Sequence, residues 1–314
     1  MRSNSDQSEG LIAAVASTMR CPIQPLAWPL GEGRGEETRV HLVAIRSVNY
    51  VGDAVLREQD YSVASNSAIR HAAAAGLPVP IPFASGSFGQ RRWQIEPRMT
   101  GQPLSAVDPR SAQQSLPSVA DALTKLHDRR TKGILEDGSD LSISRNGLTA
   151  HTTKCVERFA AASSTSLGTK IVDAARRTSW NSTISLCHGD LTHRNVMVSH
   201  NRLSGVIDWS PQLIMIGPPE IDVAIFRTAL LLDAGPIAAL ADSLIAEFIR
   251  ANPRLASDRI EAATDWSLLQ LLSWIYGRRI GLTGFPGDNL IEGSRPKQVE
   301  LENRVFELLS RPRS

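Results

Sequence analysis

The chain has 314 residues, of which 34 are basic and 32 acidic, so its formal net charge is +2. At 42% hydrophobic and 21% charged it is too apolar to be disordered throughout, and its 22 glycines and 18 prolines show no short period, which excludes a fibrous architecture. The nearly balanced charge also argues against a nucleic-acid partner, which requires a basic excess or a basic face.

The cysteines and the longest apolar runs bear on the compartment. Cys21, Cys155 and Cys187 are widely spaced and odd in number, which fits neither a disulfide framework nor a CxxC metal pair and indicates a reducing compartment. No run approaches the roughly 18 apolar residues of a membrane helix. We therefore expect a cytoplasmic protein without a membrane segment. At roughly 150 residues per domain, the length allows one large domain or two medium ones.

The first hundred residues predict a β-rich unit. Residues 1–10 are polar and expected to be frayed, and the apolar run 11–19 predicts a short helix. Alternation in RVHLVAIRSV predicts a strand with His41, Val43 and Ile45 on one face. The other predicted elements of this unit are a strand at 54–57, a helix at 62–75, a strand at 91–95 and a connector at 96–104.

From residue 105 onward the pattern becomes mainly helical. Leucine and valine recur at helical spacing within 116–126. Three short apolar runs between polar turns predict small strands at 184–187, 196–198 and 205–207, and the Gly/Ser/Asp-rich stretch 135–150 predicts a loop. The other predicted helices are 151–162, 169–178, 219–232, 236–251, 257–280 and 297–310.

The segment 186–209, LCHGDLTHRNVMVSHNRLSGVIDW, carries the most specific pattern in the chain. Asp190 follows a predicted strand on a tight turn, Asn195 opens the next strand, and Asp208 closes its partner strand, so the three can converge on one point. A carboxylate and a carboxamide are suitable oxygen ligands for Mg²⁺, and a second carboxylate can direct a hydroxyl nucleophile. Each residue alone is also a common turn former, but the set in register with His188 favours phosphoryl transfer.

This signature, HGDLTHRN…GVIDW, resembles that of the aminoglycoside phosphotransferase and choline kinase-like family, whose members share the protein-kinase fold. Weaker likenesses extend over roughly residues 28–230. PLGEGRGEETRVHLV is similar to the family's phosphate-covering loop and first hairpin, AVLR to its third strand, and GLPVPIPFASG to the turn after its first helix. WQIEPRMTGQPL is similar to its lobe connector, ADALTKLHDRR to its helix ending in Leu-His, and GPPEIDVAIF to the run after the last aspartate.

The resemblance implies an α+β, bilobal protein-kinase-like fold, with a small β-rich N-lobe at 1–100 and a larger, mainly helical C-lobe at 101–314. It implies an O-phosphotransferase that uses ATP, or alternatively GTP, with Mg²⁺. The γ-phosphoryl group would pass to a hydroxyl of a small molecule such as an antibiotic, an amino alcohol or a sugar. The oligomeric state stays open.

The resemblance also assigns roles by position. Asp190 would be the catalytic base, Asn195 and Asp208 would hold Mg²⁺ on the nucleotide, and His188 and Asp222 would brace the catalytic loop. The further nucleotide contacts that it implies are Arg57, Gly33 and Gly35.

Two departures from the family pattern concern the N-lobe. The third strand carries Arg57 where the family uses lysine, and a planar guanidinium is not equivalent to a point charge. The first helix carries Ser65 or Asn66 where the family has glutamate, so the usual ion pair is absent or uses another acid, such as Glu58. These departures keep open an alternative function, that of a catalytically weak kinase-fold protein that binds a nucleotide or another ligand.

Several other side chains are compatible with a structural or a functional role. His193 and Arg194 lie between the predicted base and the predicted metal ligand, where they would contact the γ-phosphate or face solvent. Late helices carry aromatic and acidic residues that would form core and solvated faces, or else line an acceptor pocket. These residues are Trp266, Trp274, Tyr276, Glu261 and Asp265.

Overall fold

The computed structural model describes residues 4–27, 39–47, 50–58, 63–89, 91–129, 185–209, 213–233, 235–279 and 295–310. The predicted loop at 135–150 and the predicted helices at 151–162 and 169–178 lie outside the described residues, as do Gly33 and Gly35.

Strands dominate the N-terminal part of the described chain and helices the C-terminal part. The strands are β1 Ile23–Ala27, β2 Arg39–Arg46, β3 Val51–Glu58, β4 Ala84–Phe88, β5 Arg91–Pro97, β6 Gln102–Pro103, β7 Ser185–Cys187, β8 Val196–Ser199, β9 Arg202–Val206 and β10 Met215–Gly217. The α-helices are α1 Asn4–Met19, α2 Val63–Ala74, α3 Pro109–Asp128, α4 Glu220–Leu232, α5 Ala241–Ala251, α6 Ser257–Arg279 and α7 Arg295–Leu309, and short 3₁₀ turns cover Leu104–Ala106 and Pro236–Leu240.

The N-terminal sheet has five strands in the order β1-β2-β3-β5-β4, and all neighbours are antiparallel. As predicted, His41, Val43 and Ile45 of β2 point to one face, where all three are buried. Val43 and Ile45 pack there against Leu11 and Val15 of α1. Because side chains alternate along a strand, the residues between them point to the opposite face of the sheet.

Helix α1 begins at Asn4, so the prediction of a frayed segment is wrong for residues 4–10. Gly10 lies directly against the ring of Phe88 on β4, and Leu11 is buried one residue later. Packing of Gly10 and Leu11 against the sheet therefore stabilises α1, whose N-terminal residues are too polar to predict a helix from their own pattern.

The opposite face of the sheet carries polar side chains at its centre. β3 and β5 pair in a register that sets Arg57 opposite Gln94 and Val55 opposite Glu96. Arg57, Gln94 and Glu96 therefore share one face. This face looks toward the C-terminal half of the molecule, because the guanidinium of Arg57 reaches the carboxylate of Asp208.

The chain leaves this sheet slightly later than predicted, since Glu96 and Pro97 still belong to β5. Gln102 and Pro103 then form β6, which pairs with β8 in the C-terminal half. Between them Gly101 adopts φ +92, and a Cβ there would collide with the backbone of β8. The predicted connector is thus paired directly with the β8–β9 hairpin, which lies within the 186–209 segment.

Helix α2 packs on the helical half of the molecule although it precedes the connector. Ala68, Ile69 and Ala72 are buried in the same apolar cluster as Leu116 and Leu123 of α3. A division of the chain into lobes at residue 100 stays a prediction, and α2 contributes to the core on the far side of that division.

The helical half is arranged around α3. Asp108 caps this helix by accepting hydrogen bonds from the backbone N–H groups of Arg110 and Ser111 at 3.1 and 3.0 Å. The residues that predicted the helix lie buried on one side of it and share a core with α4 and α5. No helix within the described ranges has both the length and the apolar character needed to cross a membrane.

Candidate active site

A tight turn after β7 presents the predicted base. Gly189 adopts φ +78, and a Cβ at this position would overlap the carbonyl oxygen of Leu213. Glycine is therefore needed both for the left-handed backbone and for the close approach of a neighbouring chain segment. His188, before the glycine, is buried and Asp190, after it, is half-buried, so the chain leaves the core at this turn and brings the carboxylate of Asp190 to the surface.

Asp222, in the first turn of α4, holds this turn in place. Its buried carboxylate accepts hydrogen bonds from the backbone N–H groups of His188 and Gly189, each at 3.0 Å, and from Nε2 of His127 at 3.0 Å. Burial by itself would raise the pKa of Asp222, but the hydrogen bonds and the charge of His127 outweigh it and lower the pKa below its usual value. An ionised Asp222 thus ties α3 and α4 to the turn.

His188 stabilises the turn through hydrogen bonds to both of its ring nitrogens. Its Nε2 donates to the carbonyl oxygen of Ile207 at 2.9 Å, and its Nδ1 accepts the backbone N–H of Asp190 at 3.2 Å. Burial lowers the pKa of His188, against the raising effect of the nearby Asp222 charge, so the imidazole is neutral. The ring also packs edge-on against Trp209, with centroids 4.6 Å apart. Both ring nitrogens are therefore engaged in joining the turn to the strand that leads to Asp208.

Asn195 contacts the predicted base directly. Its Nδ2 donates to the carbonyl oxygen of Asp190 at 2.9 Å and to Oδ2 of the same residue at 3.1 Å. Its backbone N–H donates to Thr192, and its carbonyl oxygen accepts the N–H of Ile207. These contacts fix the carboxamide against Asp190 and place Asn195 beside the strand that ends at Asp208.

Asp208 lies in the loop that follows β9, with φ +67 and a side chain that is 40% exposed. The next residue, Trp209, is buried and donates from Nε1 to the carbonyl oxygen of Val206 at 3.0 Å, which fixes the loop. Oδ1 of Asp208 lies 3.4 Å from Nη1 of Arg57. The aspartate therefore faces the cleft between the sheet and the helical half.

The donors of Asn195 and Asp208 fit a divalent cation such as Mg²⁺. The amide nitrogen of Asn195 is committed to Asp190, which leaves its Oδ1 as the atom that can coordinate a cation. Asp208 adds a carboxylate whose exposure allows further ligands, such as water and phosphate oxygens. Mg²⁺ prefers few protein ligands, all oxygen, and keeps the rest of its shell for such groups.

Arg57 lies in the cleft, but its acidic partner differs from the one expected. Its Nε donates to Oε1 of Glu96 at 2.6 Å, within a pair whose side chains are 12% and 5% exposed. The proposal of Glu58 as the partner is wrong, because Glu58 points to the other face of the sheet and pairs with His41 at 2.9 Å. Strand alternation explains this, since adjacent residues of one strand cannot both face the cleft.

The loop residues between Asp190 and Asn195 point in different directions. His193 is buried, and its Nε2 lies 3.1 Å from the carboxylate of Asp233 at the end of α4. Arg194 is exposed. The solvent-facing alternative is therefore wrong for His193, whose burial and pairing with Asp233 indicate a structural role.

The late aromatic and acidic residues also have structural partners where they are described. Trp266 is 1% exposed and packs in a core cluster with Ile221 and Ala224. Glu261 lies 2.7 Å from the guanidinium of Arg227. The side chains of Trp274 and Tyr276 lie outside the described residues.

Two residues at the site were missed by sequence reasoning. Glu96 was placed at the start of the connector, and only the register of β3 against β5 puts it on the face of Arg57. His127 is buried, and its bond to Asp222 spans 95 residues of sequence. The Leu-His ending of its helix was the signal, since a buried histidine needs a hydrogen-bonding partner.

The sequence of the chain and its fold both match known proteins. Residues 57–257 match the sequence profile described as the phosphotransferase enzyme family. This stretch begins at Arg57 on β3 and includes Asp190, Asn195, Asp208 and Asp222. A comparison with curated protein sequences returned no significant match.

Among solved structures the chain is similar to several aminoglycoside and macrolide phosphotransferases. A thermostable mutant of aminoglycoside phosphotransferase APH(4)-Ia, in a ternary complex with ADP and hygromycin B, superposes with a TM-score of 0.66 at 18% identity, over 96% of this chain and 98% of that one. Macrolide 2'-phosphotransferase MphH from Brachybacterium faecium gives 0.63 at 16% identity over 98% of both chains. Aminoglycoside phosphotransferase APH(3'')-Id from Streptomyces rimosus gives 0.57 at 14% identity, over 86% of this chain and 99% of that one.

At these identities the likeness concerns the fold, and it confirms the predicted α+β, protein-kinase-like architecture with a β-rich part and a helical part. The sequence profile covers more than half of the chain, including the turn, the hairpin and the bracing aspartate described above. On that evidence the chain belongs to the phosphotransferase enzyme family.

Proposed function

We propose that this protein transfers the γ-phosphoryl group of ATP to a hydroxyl group of a small molecule. The observation that carries the proposal is that Asn195 is bonded both to Asp190 and to the strand end beside Asp208, while Arg57 of the sheet reaches Asp208. An adenine nucleotide as donor is supported by the fold neighbours solved with ADP and with AMP-PNP.

Asp190 is the proposed catalytic base. Its carboxylate accepts the proton of the acceptor hydroxyl as the hydroxyl oxygen attacks the γ-phosphorus, and the bond from that phosphorus to the β-phosphate oxygen breaks, which leaves ADP. Asn195 holds one carboxylate oxygen of Asp190 in a fixed direction through its amide. Positioning and charge neutralisation supply most of the rate in phosphoryl transfer, so a fixed direction matters more than an unusual basicity.

Asn195 and Asp208 are the proposed Mg²⁺ ligands. When bound there, Mg²⁺ would supply positive charge that offsets the negative charge of the nucleotide phosphates. Arg57 is the proposed contact to the phosphates from the sheet side. Its cation stands within 3.4 Å of Asp208, at the boundary between the two halves of the cleft.

The proposed acceptors are hydroxyl-bearing small molecules, including antibiotics, amino alcohols and sugars. Fold neighbours named for aminoglycosides and macrolides support antibiotics as the first class to test. The alternative of a non-catalytic binding protein was motivated by Arg57 and by the missing helix glutamate. Its support is reduced because Arg57 does have a buried acidic partner, Glu96.

A panel assay tests the proposal. The purified protein is incubated with MgCl₂ and either ATP or GTP against aminoglycosides, macrolides, amino alcohols and sugars, and products are identified by mass spectrometry. We expect one acceptor class to gain a phosphoryl group, with ATP as the better donor. Tight Mg²⁺-nucleotide binding without a phosphorylated product from any class would support the binding-protein alternative instead.

A further inference from the structure

We infer that Glu96 is the positioning residue for the guanidinium of Arg57, so that the phosphate-contacting cation of this protein is held within the sheet and not by helix α2. The inference rests on the proposed function, in which Arg57 contacts the phosphates of the nucleotide. It explains how the cation can be held without an acid on the first helix.

The Glu96 carboxylate is fixed on both of its oxygens. Oε1 accepts from Nε of Arg57 at 2.6 Å, and Oε2 accepts from Nε2 of Gln94 at 3.3 Å. Glu96 is 4% exposed and Gln94 is 1% exposed, so the pair sits in a site with little water. A short, buried, charge-assisted hydrogen bond of this kind restricts both partners more than an exposed ion pair does.

The shape of arginine lets one side chain serve two purposes here. Its planar group offers donors along more than one edge, so Nε can bond Glu96 while the Nη groups point elsewhere. Nη1 does point into the cleft, 3.4 Å from Oδ1 of Asp208. Glu96 thus fixes the inner edge of the guanidinium, while Nη1 on another edge faces Asp208. A lysine has a single ammonium group and would have to divide it between the two partners.

Helix α2 has no acidic side chain that could pair with the cation on β3. Its twelve residues, VASNSAIRHAAA, include no aspartate or glutamate. The apolar side of the helix, with Ala68, Ile69 and Ala72, is buried in the core of the helical half. The acid that holds Arg57 therefore comes from β5, where Glu96 lies opposite Val55 and diagonal to Arg57, and not from a helix.

Binding measurements on matched variants test this inference. Calorimetry with ATP plus MgCl₂, and separately with adenosine, compares the wild-type protein with Glu96→Gln and with Glu58→Gln. Glu58 is a suitable control because it is a buried glutamate in the same sheet that pairs with His41 on the opposite face. A phosphate-specific role predicts that Glu96→Gln weakens ATP binding about tenfold and leaves adenosine binding unchanged. Glu58→Gln should leave both affinities unchanged.

Two further variants separate positioning from general damage. In an Arg57→Ala background, Glu96→Gln should cause no additional loss of ATP affinity, since the coupled partner is gone. Glu96→Asp retains the charge with a shorter reach and should recover part of the affinity, which keeps the test available if Glu96→Gln does not fold. ATP binding by Glu96→Gln equal to wild type, an equal loss for adenosine, or an additive loss in the double variant would each overturn the inference. Failure of the wild-type protein to bind ATP would instead count against the proposed function.

Discussion

The most informative structural perturbation is Asp222→Asn. The fully buried carboxylate accepts three hydrogen bonds, from the backbone N–H groups of His188 and Gly189 and from Nε2 of His127, all at 3.0 Å. An amide of the same shape keeps one accepting oxygen and turns an NH₂ group toward the remaining donors. The substitution therefore removes charge assistance from every bond and leaves at least one buried N–H without an acceptor.

The cost can be worked from these contacts. A buried donor left without an acceptor costs about 1–3 kcal/mol, and loss of charge assistance costs about 1 kcal/mol for each remaining bond. The sum is about 3–5 kcal/mol, a large part of the roughly 5–15 kcal/mol that keeps a domain folded. We expect Asp222→Asn to lose that much unfolding free energy and, with the turn displaced, most of its turnover.

Urea denaturation at pH 7.5, followed by circular dichroism, measures the loss. Asp242→Asn is the matched control, because its carboxylate is 89% exposed and pairs with Arg227 at the surface. Exposed pairs contribute little, so this variant should unfold close to wild type. If Asp222→Asn cost less than about 1 kcal/mol, the three hydrogen bonds would not be holding the turn as argued.

Three further predictions follow from the site. Burial lowers the pKa of His188 and of His193, so near pH 6.5 the unfolded chain binds protons that the folded chain does not. The unfolding free energy should therefore fall from pH 7.5 to pH 5.5, by up to about 1.4 kcal/mol per pH unit for each histidine. Urea titrations that gave the same or a higher unfolding free energy at pH 5.5 would contradict this. Gly189→Ala should lower the unfolding free energy by more than about 3 kcal/mol, because the added Cβ would overlap a neighbouring backbone. Gly76 is also left-handed, at φ +83, but a Cβ there would meet open space, so Gly76→Ala should cost only about 1–2 kcal/mol. Equal urea midpoints for the two variants would refute the clash. Asn195→Asp places a second carboxylate against the base and should lower kcat about 100-fold or more in a coupled ADP-release assay, and a kcat within threefold of wild type would show that the carboxamide does not orient the base.

The parts of the site that could be predicted from sequence are local. Asp190, Asn195 and Asp208 lie within one strand-turn-strand segment, and tight turns leave few ways to arrange them. Asp222 follows on the next helix at a characteristic distance. Such residues are constrained by chain connectivity, so a pattern of spacing carries most of the geometry.

Glu96 and His127 could not be placed in the same way. Glu96 meets Arg57 across 39 residues through the register of two antiparallel strands, and a shift of one residue would turn it to the other face. The error over Glu58 has the same origin, because proximity in sequence was taken for proximity in space. Long-range pairings depend on the whole sheet and not on the local pattern.

The missed secondary structure has a related cause. Strand β4 reads ASGSF, which is Ser- and Gly-rich and typical of a loop, yet it pairs with β5. Gly86 allows this because it lies flat against the ring of Trp93, where a Cβ would collide. Helix α1 is likewise packed on the sheet through Gly10, which lies against the ring of Phe88. Tertiary packing overrode weak local preference in both places.

The central claim is that Asp190 takes the proton of an acceptor hydroxyl during phosphoryl transfer. The direct measurement is the acceptor-phosphorylation rate of Asp190→Asn beside its Mg²⁺-ATP affinity, with the acceptor identified in the panel assay. Asparagine keeps the shape and the contact with Asn195 but cannot accept the proton. We predict a rate at least about 1,000-fold below wild type with ATP affinity within threefold, and a rate within tenfold of wild type would contradict the account.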